Sequence, residues 1–381
     1  MPSFTTNSPK ILLSGATGYV GGTILDHIVK SREQSLQNLT VDLLVRNQED
    51  SKKLLAVYGD RVNPIQWEGL TDTQFITDTA ASYDIVLNTG FGFVPDGAEA
   101  FVRGLARRIG GDSPTPWLLH LSGCSNLADR PLTQEAHPNR EWDDARSRAI
   151  YDFLEAEDAR DPYPQRTAEI RVLSAAEETG VQAISVNTPC IFGTGTGLFR
   201  RQGFIIPAFM RFVLKHGCGF KLNETANFDW VHVKDLADLF ILLLRAILER
   251  EDRGIGYLPS GKNGIISSSV GYTLQTDMMQ LCLDTAFEAG VLPTGSTPKH
   301  KEIRQFALEK IADEIMDGLV SMAERSWAGH KRMKGTVARQ LLGWNPNRLR
   351  DSWEQDYADV LDELRSSSTG GILEHFSKKE G

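Results

Sequence analysis

The sequence predicts an α/β fold: a doubly wound parallel Rossmann sheet joined to a smaller, mostly helical C-terminal substrate domain. Three observations carry this prediction. Short apolar runs alternate with helix-length amphipathic stretches through the first half of the chain, the pattern of a parallel sheet clothed by helices. The runs are apolar throughout rather than at every second residue, as strands covered on both faces are. A glycine-rich turn, Gly15-Ala16-Thr17-Gly18-Tyr19-Val20-Gly21, stands between the first run and the first helical stretch.

Residues 11–13 read as the first strand, and Val20, Ile24, Leu25 and Ile28 then form one apolar stripe at helical spacing. Further strands are predicted at 41–45, 63–67, 84–87, 117–121 and 183–186. Between the last two lies a mixed-charge segment, 129–166, with Pro131, Pro138, Pro162 and Pro164. Such a segment predicts a long, partly irregular excursion. After Pro189 come Gly193-Thr194-Gly195-Thr196-Gly197 and an aromatic stretch through Phe220. Asp235 is expected to cap a helix over 236–248, and amphipathic helices continue to about residue 364. The predicted organisation is a Rossmann domain at 1–188 to which 227–250 return, a substrate domain at 189–226 and 251–365, and a tail at 366–381.

Composition excludes several function classes. The chain has 381 residues, with 41 Lys+Arg against 50 Asp+Glu and a net charge of −9. An acidic chain with no basic stripe repels phosphate backbones, so no nucleic-acid partner is expected. The longest apolar stretch, 236–244, contains Asp238 and falls short of the ~20 residues that span a bilayer. The segment 1–6 has neither the basic part nor the apolar run of a signal peptide. Cys124, Cys190, Cys218 and Cys282 are widely spaced. They read as reduced, buried thiols in a cytoplasmic protein, with no metal site.

The glycine turn suits a dinucleotide. Gly15 permits the tight turn, Gly18 lets backbone approach a pyrophosphate, and Gly21 lets the helix pack on the sheet. Thr17, Tyr19 and Val20 belong to the same turn, and the helix start offers free N–H groups to the anion. NAD-preferring sites place a carboxylate after the second strand, roughly 20 residues on. Here that strand ends in Arg46, whose planar fork suits a 2′-phosphate. NADP(H) is therefore expected over NAD(H). Asn88, Thr89 and Gly90 end the fourth strand, where backbone lines the cofactor, with Phe91 and Phe93 just beyond.

Several segments in order resemble the extended or atypical branch of the short-chain dehydrogenase/reductase superfamily, the epimerase/dehydratase-like enzymes. They are Ser14-Gly15-Ala16-Thr17-Gly18-Tyr19-Val20-Gly21-Gly22, Gly69-Leu70-Thr71-Asp72, Thr188-Pro189-Cys190-Ile191-Phe192-Gly193, Trp230-Val231-His232-Val233-Lys234-Asp235-Leu236-Ala237 and Leu342-Gly343-Trp344-Asn345-Pro346. The resemblance adds Leu70 and Pro189 to the cofactor residues and implies a homodimer through a helix pair. It also implies catalysis by a Ser/Thr, a Tyr and a Lys four residues after the Tyr, the phenol moving a proton as hydride moves.

This chain departs from that triad. Gly123 falls at the Ser/Thr position, leaving Ser122 and Ser125 beside it as candidates to polarise a substrate oxygen. Tyr163 is followed by Thr167 where the lysine belongs, and Tyr151 by Glu155. Alignment by Glu169 puts Asp161 in the tyrosine slot and Gln165 in the lysine slot. No lysine occurs between Lys53 and Lys215; Arg166 is the nearest cation and a candidate to hold a ribose. Tyr163 is the candidate proton donor. His120 and His232 read as structural. The stretch 199–220 reads as a cover over an apolar substrate. The leading reading is an NADP(H)-dependent oxidoreductase acting on a carbonyl or alcohol of a small, largely apolar metabolite. A redox-neutral epimerase, dehydratase, isomerase or cyclase, and a non-catalytic NADP-binding regulator, stay open.

Overall fold

The computed structural model describes residues 9–110, 114–249, 257–292 and 301–366. Its main layer is a seven-stranded sheet. From one edge the order is Ile265–Ser267, Gln182–Thr188, Trp117–Gly123, Ile85–Asn88, Ile11–Ser14, Val41–Val45 and Val62–Gln66, every neighbour parallel. Leu12, Leu13, Leu43, Ile85, Val86, Leu118, Leu119 and Ile184 are fully buried, as strands between two helical layers must be. One face carries helices Tyr19–Lys30 and Val233–Leu248; the other carries Pro95–Ala106, Ser147–Arg160 and Pro164–Thr179.

The second unit is built around Phe209, Phe220, Phe228, Trp327, Trp353 and Tyr357. A small sheet, Gly271–Leu274, Asn227–His232 and Cys190–Phe192, lies against helices Ile205–His216, Gln275–Glu288 and Arg350–Ser366.

Four expectations change. The third strand starts one residue earlier, at Val62. The excursion 129–166 is more regular than its prolines suggest. It contains strand Glu141–Asp143 and helix Ser147–Arg160, and Pro164 opens the next helix at a first-turn position, where the missing N–H costs nothing. The return helix begins at Val233 rather than 236, because His232 Nδ1 accepts the Lys234 N–H at 3.1 Å. Burial, with Arg348 and Lys234 nearby, holds His232 down to about 3, so the ring stays a neutral acceptor. Asp235 instead accepts the Arg348 N–H at 3.1 Å and the Arg348 guanidinium at 2.5 Å, anchoring the segment in which the Trp344 indole donates to Asp235 O at 2.9 Å. Finally, Ile265–Ser267 completes the large sheet, and Ala338 and Trp344 pack in its core, so the chain returns there more than once.

The four cysteines are buried and unpaired. Among the described residues no helix is long and apolar enough to cross a membrane, and no group of His, Cys, Asp and Glu is placed to hold a metal. Residues 1–8 and 367–381, including nearly all of the expected tail, lie outside the described residues.

Candidate active site

The carboxyl ends of Ile11–Ser14 and Ile85–Asn88 lie side by side, and the chain leaves them toward opposite edges of the sheet. Such a reversal opens a crevice at which open α/β sheets hold ligands. Gly15 adopts φ +85°, and the Gly18 N–H donates to Gly15 O at 2.8 Å, closing the turn. Helix Tyr19–Lys30 starts with no side-chain cap and no acid in its first turn, which leaves its leading N–H groups to an outside acceptor.

The glycines of the turn are needed for different reasons. A Cβ at Gly21 would lie 2.3 Å from both Gly15 O and Thr89 Oγ1, so packing alone demands glycine there. A Cβ at Gly18 would meet only Gly15 O, at 3.1 Å, and φ there is an ordinary −85°. Packing therefore presses less on position 18 than on position 21.

Around the turn, Ser14 Oγ donates to Asn88 Oδ1 at 2.8 Å, Thr89 Oγ1 donates to Ser14 O at 2.6 Å, and Asn88 Nδ2 lies 3.1 Å from His120 Nδ1. Burial holds His120 down to about 4, so its ring is the neutral acceptor of this chain. Thr17 and Gly90 are partly exposed, Leu70 Cδ1 stands 3.3 Å from the Cβ position of Gly90, Pro189 is buried, and the Val20 side chain belongs to the core. Arg46 is exposed beside Gly69, with no ion pair among the described residues. The Tyr19 phenol donates to Gly193 O at 2.5 Å, and the Cβ position of Gly22 is 3.3 Å from Gly197 Cα. The loop 193–197 therefore lies directly on the start of the helix.

At the end of strand Trp117–Gly123 the two candidate serines separate. Ser122, 2% exposed, accepts from Asn126 Nδ2 at 3.0 Å. That amide also donates to Glu169 Oε2 at 2.5 Å, while Ser185 donates to Glu169 Oε1 at 2.6 Å. Ser122 is thus part of a buried network beneath the site. Ser125 instead accepts from the Tyr163 phenol at 3.2 Å and donates to Gln165 Oε1 at 2.6 Å. Phe93 packs edge-on against the Tyr163 ring, centroids 5.7 Å apart, and the Arg325 guanidinium lies over it at 5.1 Å. Burial pushes Tyr163 up to about 12, only partly offset by the Ser125 hydrogen bond and the Arg325 charge. The group is a phenol, able to donate a proton and not poised to take one.

Two sequence candidates are placed elsewhere. Tyr151 is fully buried and donates to Glu155 at 3.1 Å, inside the helical layer. Arg166 is 1% exposed. It binds Asp158 at 3.2 Å and the carbonyls of Asn126, Glu157 and Asp161. Four of its five N–H donors are spent in fastening the loop before Tyr163, and its burial keeps it from a ribose. The stretch 199–220 is also mostly core: Ile206, Phe209, Met210, Phe212 and Phe220 are buried in the second unit, and Phe199 packs on the first, 5.9 Å from Lys53. The aromatic side chains at the crevice are Phe91 and Phe93, centroids 4.9 Å apart.

Comparison with known proteins agrees with this geometry. Residues 148–256 match the model of the NAD dependent epimerase/dehydratase family. A solved dTDP-glucose 4,6-dehydratase from Streptomyces venezuelae, with NAD bound, superposes with a TM-score of 0.60 at 12% identity, covering 94% of this chain and 97% of that one. Vestitone reductase from alfalfa (Medicago sativa) gives 0.55 at 14% identity, covering 94% and 99%. The family match is confined to residues 148–256, and over the rest of the chain the likeness to these solved structures is one of fold. A curated relative, oxidase ucsJ from an Acremonium species, is 23% identical over 350 residues, 88% of this chain and 92% of that one.

Two features of the site escaped sequence reasoning. One is the cation over Tyr163. Arg325 Nη2 binds Asp161 Oδ2 at 2.5 Å, Arg130 binds the same oxygen at 3.0 Å, and Arg130 Nε binds Glu324 at 3.0 Å. Burial raises Asp161, but the Arg130 hydrogen bond and the charges of Arg325 and Arg130 hold it below the usual carboxylate range. The partners are 164 residues apart in sequence, and no local pattern links them. The other is Gln165, visible only as the residue in the lysine slot.

Proposed function

We propose that this protein is an NADP(H)-dependent oxidoreductase that reduces a carbonyl of a small, largely apolar metabolite, or oxidises the matching alcohol. The observation that carries the reading is the Tyr163–Ser125 hydrogen bond at 3.2 Å, at the strand end next to an uncapped helix start. The residues of the crevice fit a dinucleotide. Gly18 leaves room for which packing has no use, the first-turn N–H groups of Tyr19, Val20 and Gly21 suit a pyrophosphate, and Arg46 is an unpaired fork for a 2′-phosphate. Asn88, Thr89 and Gly90 would line the other half, with Leu70 and Pro189 beside them.

When bound, the dinucleotide supplies or accepts the hydride. Ser125 is positioned to hold a substrate oxygen, and Tyr163, protonated at every physiological pH, donates the proton that completes an alcohol. This favours the reducing direction. Phe91, 48% exposed, and Phe93 offer an apolar approach. The family match to epimerases and dehydratases favours a second reading, a redox-neutral step in which no cofactor is consumed.

The test is a titration with NADPH and NADH followed by nicotinamide fluorescence, on the wild type and on Arg46→Ala. NADPH is expected to bind more tightly, and the substitution to remove that preference, a loss of roughly 10–100-fold for a charge-assisted contact of ~1.5–3 kcal/mol. Equal affinities in both proteins would overturn the NADP assignment. Net NADPH consumption with an apolar ketone separates the oxidoreductase from the redox-neutral reading.

A further inference from the structure

At the site, Gln165 keeps a donor that none of the described residues uses. Gln165 lies on the first turn of helix Pro164–Thr179 and is half-buried. Its Oε1 accepts from Ser125 at 2.6 Å, while Ser125 accepts from Tyr163 at 3.2 Å. Because the Ser125 proton goes to Gln165 Oε1, the other end of the carboxamide is the amino group. Gln165 Nε2 has no hydrogen-bond partner among the described residues. It lies 3.6 Å from the Cβ position of Gly92 and 2.9 Å from that of Gly123.

The second distance matters most. A side chain at 123 would stand 2.9 Å from Nε2, 3.0 Å from Oε1 and 3.2 Å from Cδ of Gln165. Any residue other than glycine would push the carboxamide out of its seat. The Gln165 carboxamide fills the room that the absence of a side chain at 123 leaves.

We propose that the Gln165 carboxamide, seated over Gly123, donates to a hydroxyl of the nicotinamide half of the cofactor and so does a lysine's holding work without a charge. The proposal rests on the dinucleotide reading above. Tyr163, Ser125 and Gln165 then form a chain of neutral groups, and the nearby charges of Arg325 and Arg166 only partly offset the burial that keeps the phenol protonated.

The experiment measures the dissociation constants of NADPH and of 2′,5′-ADP, which lacks the nicotinamide half, on folded protein verified by thermal melting. Gln165→Glu keeps the shape and the Ser125 contact but removes the N–H donors; Gly123→Ala keeps Gln165 but fills its seat. Each is expected to weaken NADPH about tenfold, as the loss of one ~1.4 kcal/mol contact does, and to leave 2′,5′-ADP unchanged. The double variant is expected to lose no more than either single one, since both remove the same contact. The proposal is overturned if Gln165→Glu binds NADPH as the wild type does, or if the two losses multiply. Failure of the wild type to bind either nucleotide would instead sink the dinucleotide reading, and this proposal with it.

Discussion

Tyr163 illustrates how far a residue's chemistry depends on what surrounds it. A phenol this deeply buried, at about 12, does not titrate near neutrality, so an activity that uses it as an acid will be flat from pH 6 to 9 where Tyr163 is concerned. The measurement is an ultraviolet titration of phenolate absorbance in the wild type and in Tyr163→Phe; a difference below about pH 10 would contradict the environment described. The glycine turn makes a second residue-scale prediction. Gly21→Ala forces a Cβ to within 2.3 Å of Gly15 O and is expected to destabilise folding by about 1–3 kcal/mol, the usual range for overpacking. Gly18→Ala meets one oxygen at 3.1 Å and is expected to melt nearly as the wild type does while binding NADPH roughly tenfold more weakly, an effect of ~1.4 kcal/mol. Melting curves and titrations on the two variants check the contrast.

At the scale of elements, the strands at 11–14, 41–45, 85–88, 117–123 and 182–188 were legible because continuous apolar runs flanked by glycine or polar residues have few other solutions. Helix Ser147–Arg160 was hidden behind prolines, although Ile150, Tyr151 and Leu154 already mark its buried face. The edge strand Ile265–Ser267 has only three residues, too few for a period to show. The cofactor turn was legible for the same local reason as the strands, while the surroundings of Tyr163 were not, because helix Val320–Trp327 supplies them from the far end of the chain. That helix is a buttress. Arg325 is nearly buried and bound to Asp161, so Arg325→Ala removes that contact, leaves Asp161 to Arg130 and is expected to cost about 1.5–3 kcal/mol. Asp161→Asn is expected to cost more, since it leaves the more buried partner, Arg325, without a counter-charge. Denaturant melts of both variants test this ranking.

For the molecule as a whole, buried ionisable groups set the pH of greatest stability. Burial raises Asp229 to about 7 and Asp356 to about 6. A carboxyl raised in the folded state contributes stability that grows as pH falls below its folded value and is complete below the unfolded value of 3.8. Burial lowers His120 to about 4 and His232 to about 3. Their contribution is complete well above 6.5 and is lost as pH falls toward those folded values. Lys331, lowered by burial to about 8 from 10.5, has lost most of its contribution by pH 8 and adds little slope below it. Between pH 8 and 6.5 the gain from the carboxyls is nearly matched by the loss at the two histidines and the last of the loss at Lys331, so the melting temperature is expected to stay nearly flat across that window. Asp229→Asn, with Oδ1 still able to accept the Met333 N–H, is expected to leave the histidines and Lys331 largely unopposed, so that its melting temperature falls as pH falls from 8 to 6.5. A steep wild-type profile between pH 8 and 6.5, or a flat one in Asp229→Asn, would refute the assignment.

The contact between Gly22 and Gly197, 3.3 Å from a would-be Cβ to the opposing Cα, is a seam at which the two halves of the chain touch through bare backbone, pinned by the Tyr19 phenol on Gly193 O. Such a seam tolerates no thickening. A loop exchanged into 193–197 from another enzyme would bring side chains that act as a wedge, lifting the helix Tyr19–Lys30 from the sheet and spoiling the phosphate turn at its head. Redesign of this protein for a different ligand is therefore expected to tolerate changes at Phe91 and Phe93, where Phe91 is exposed, and not at the seam.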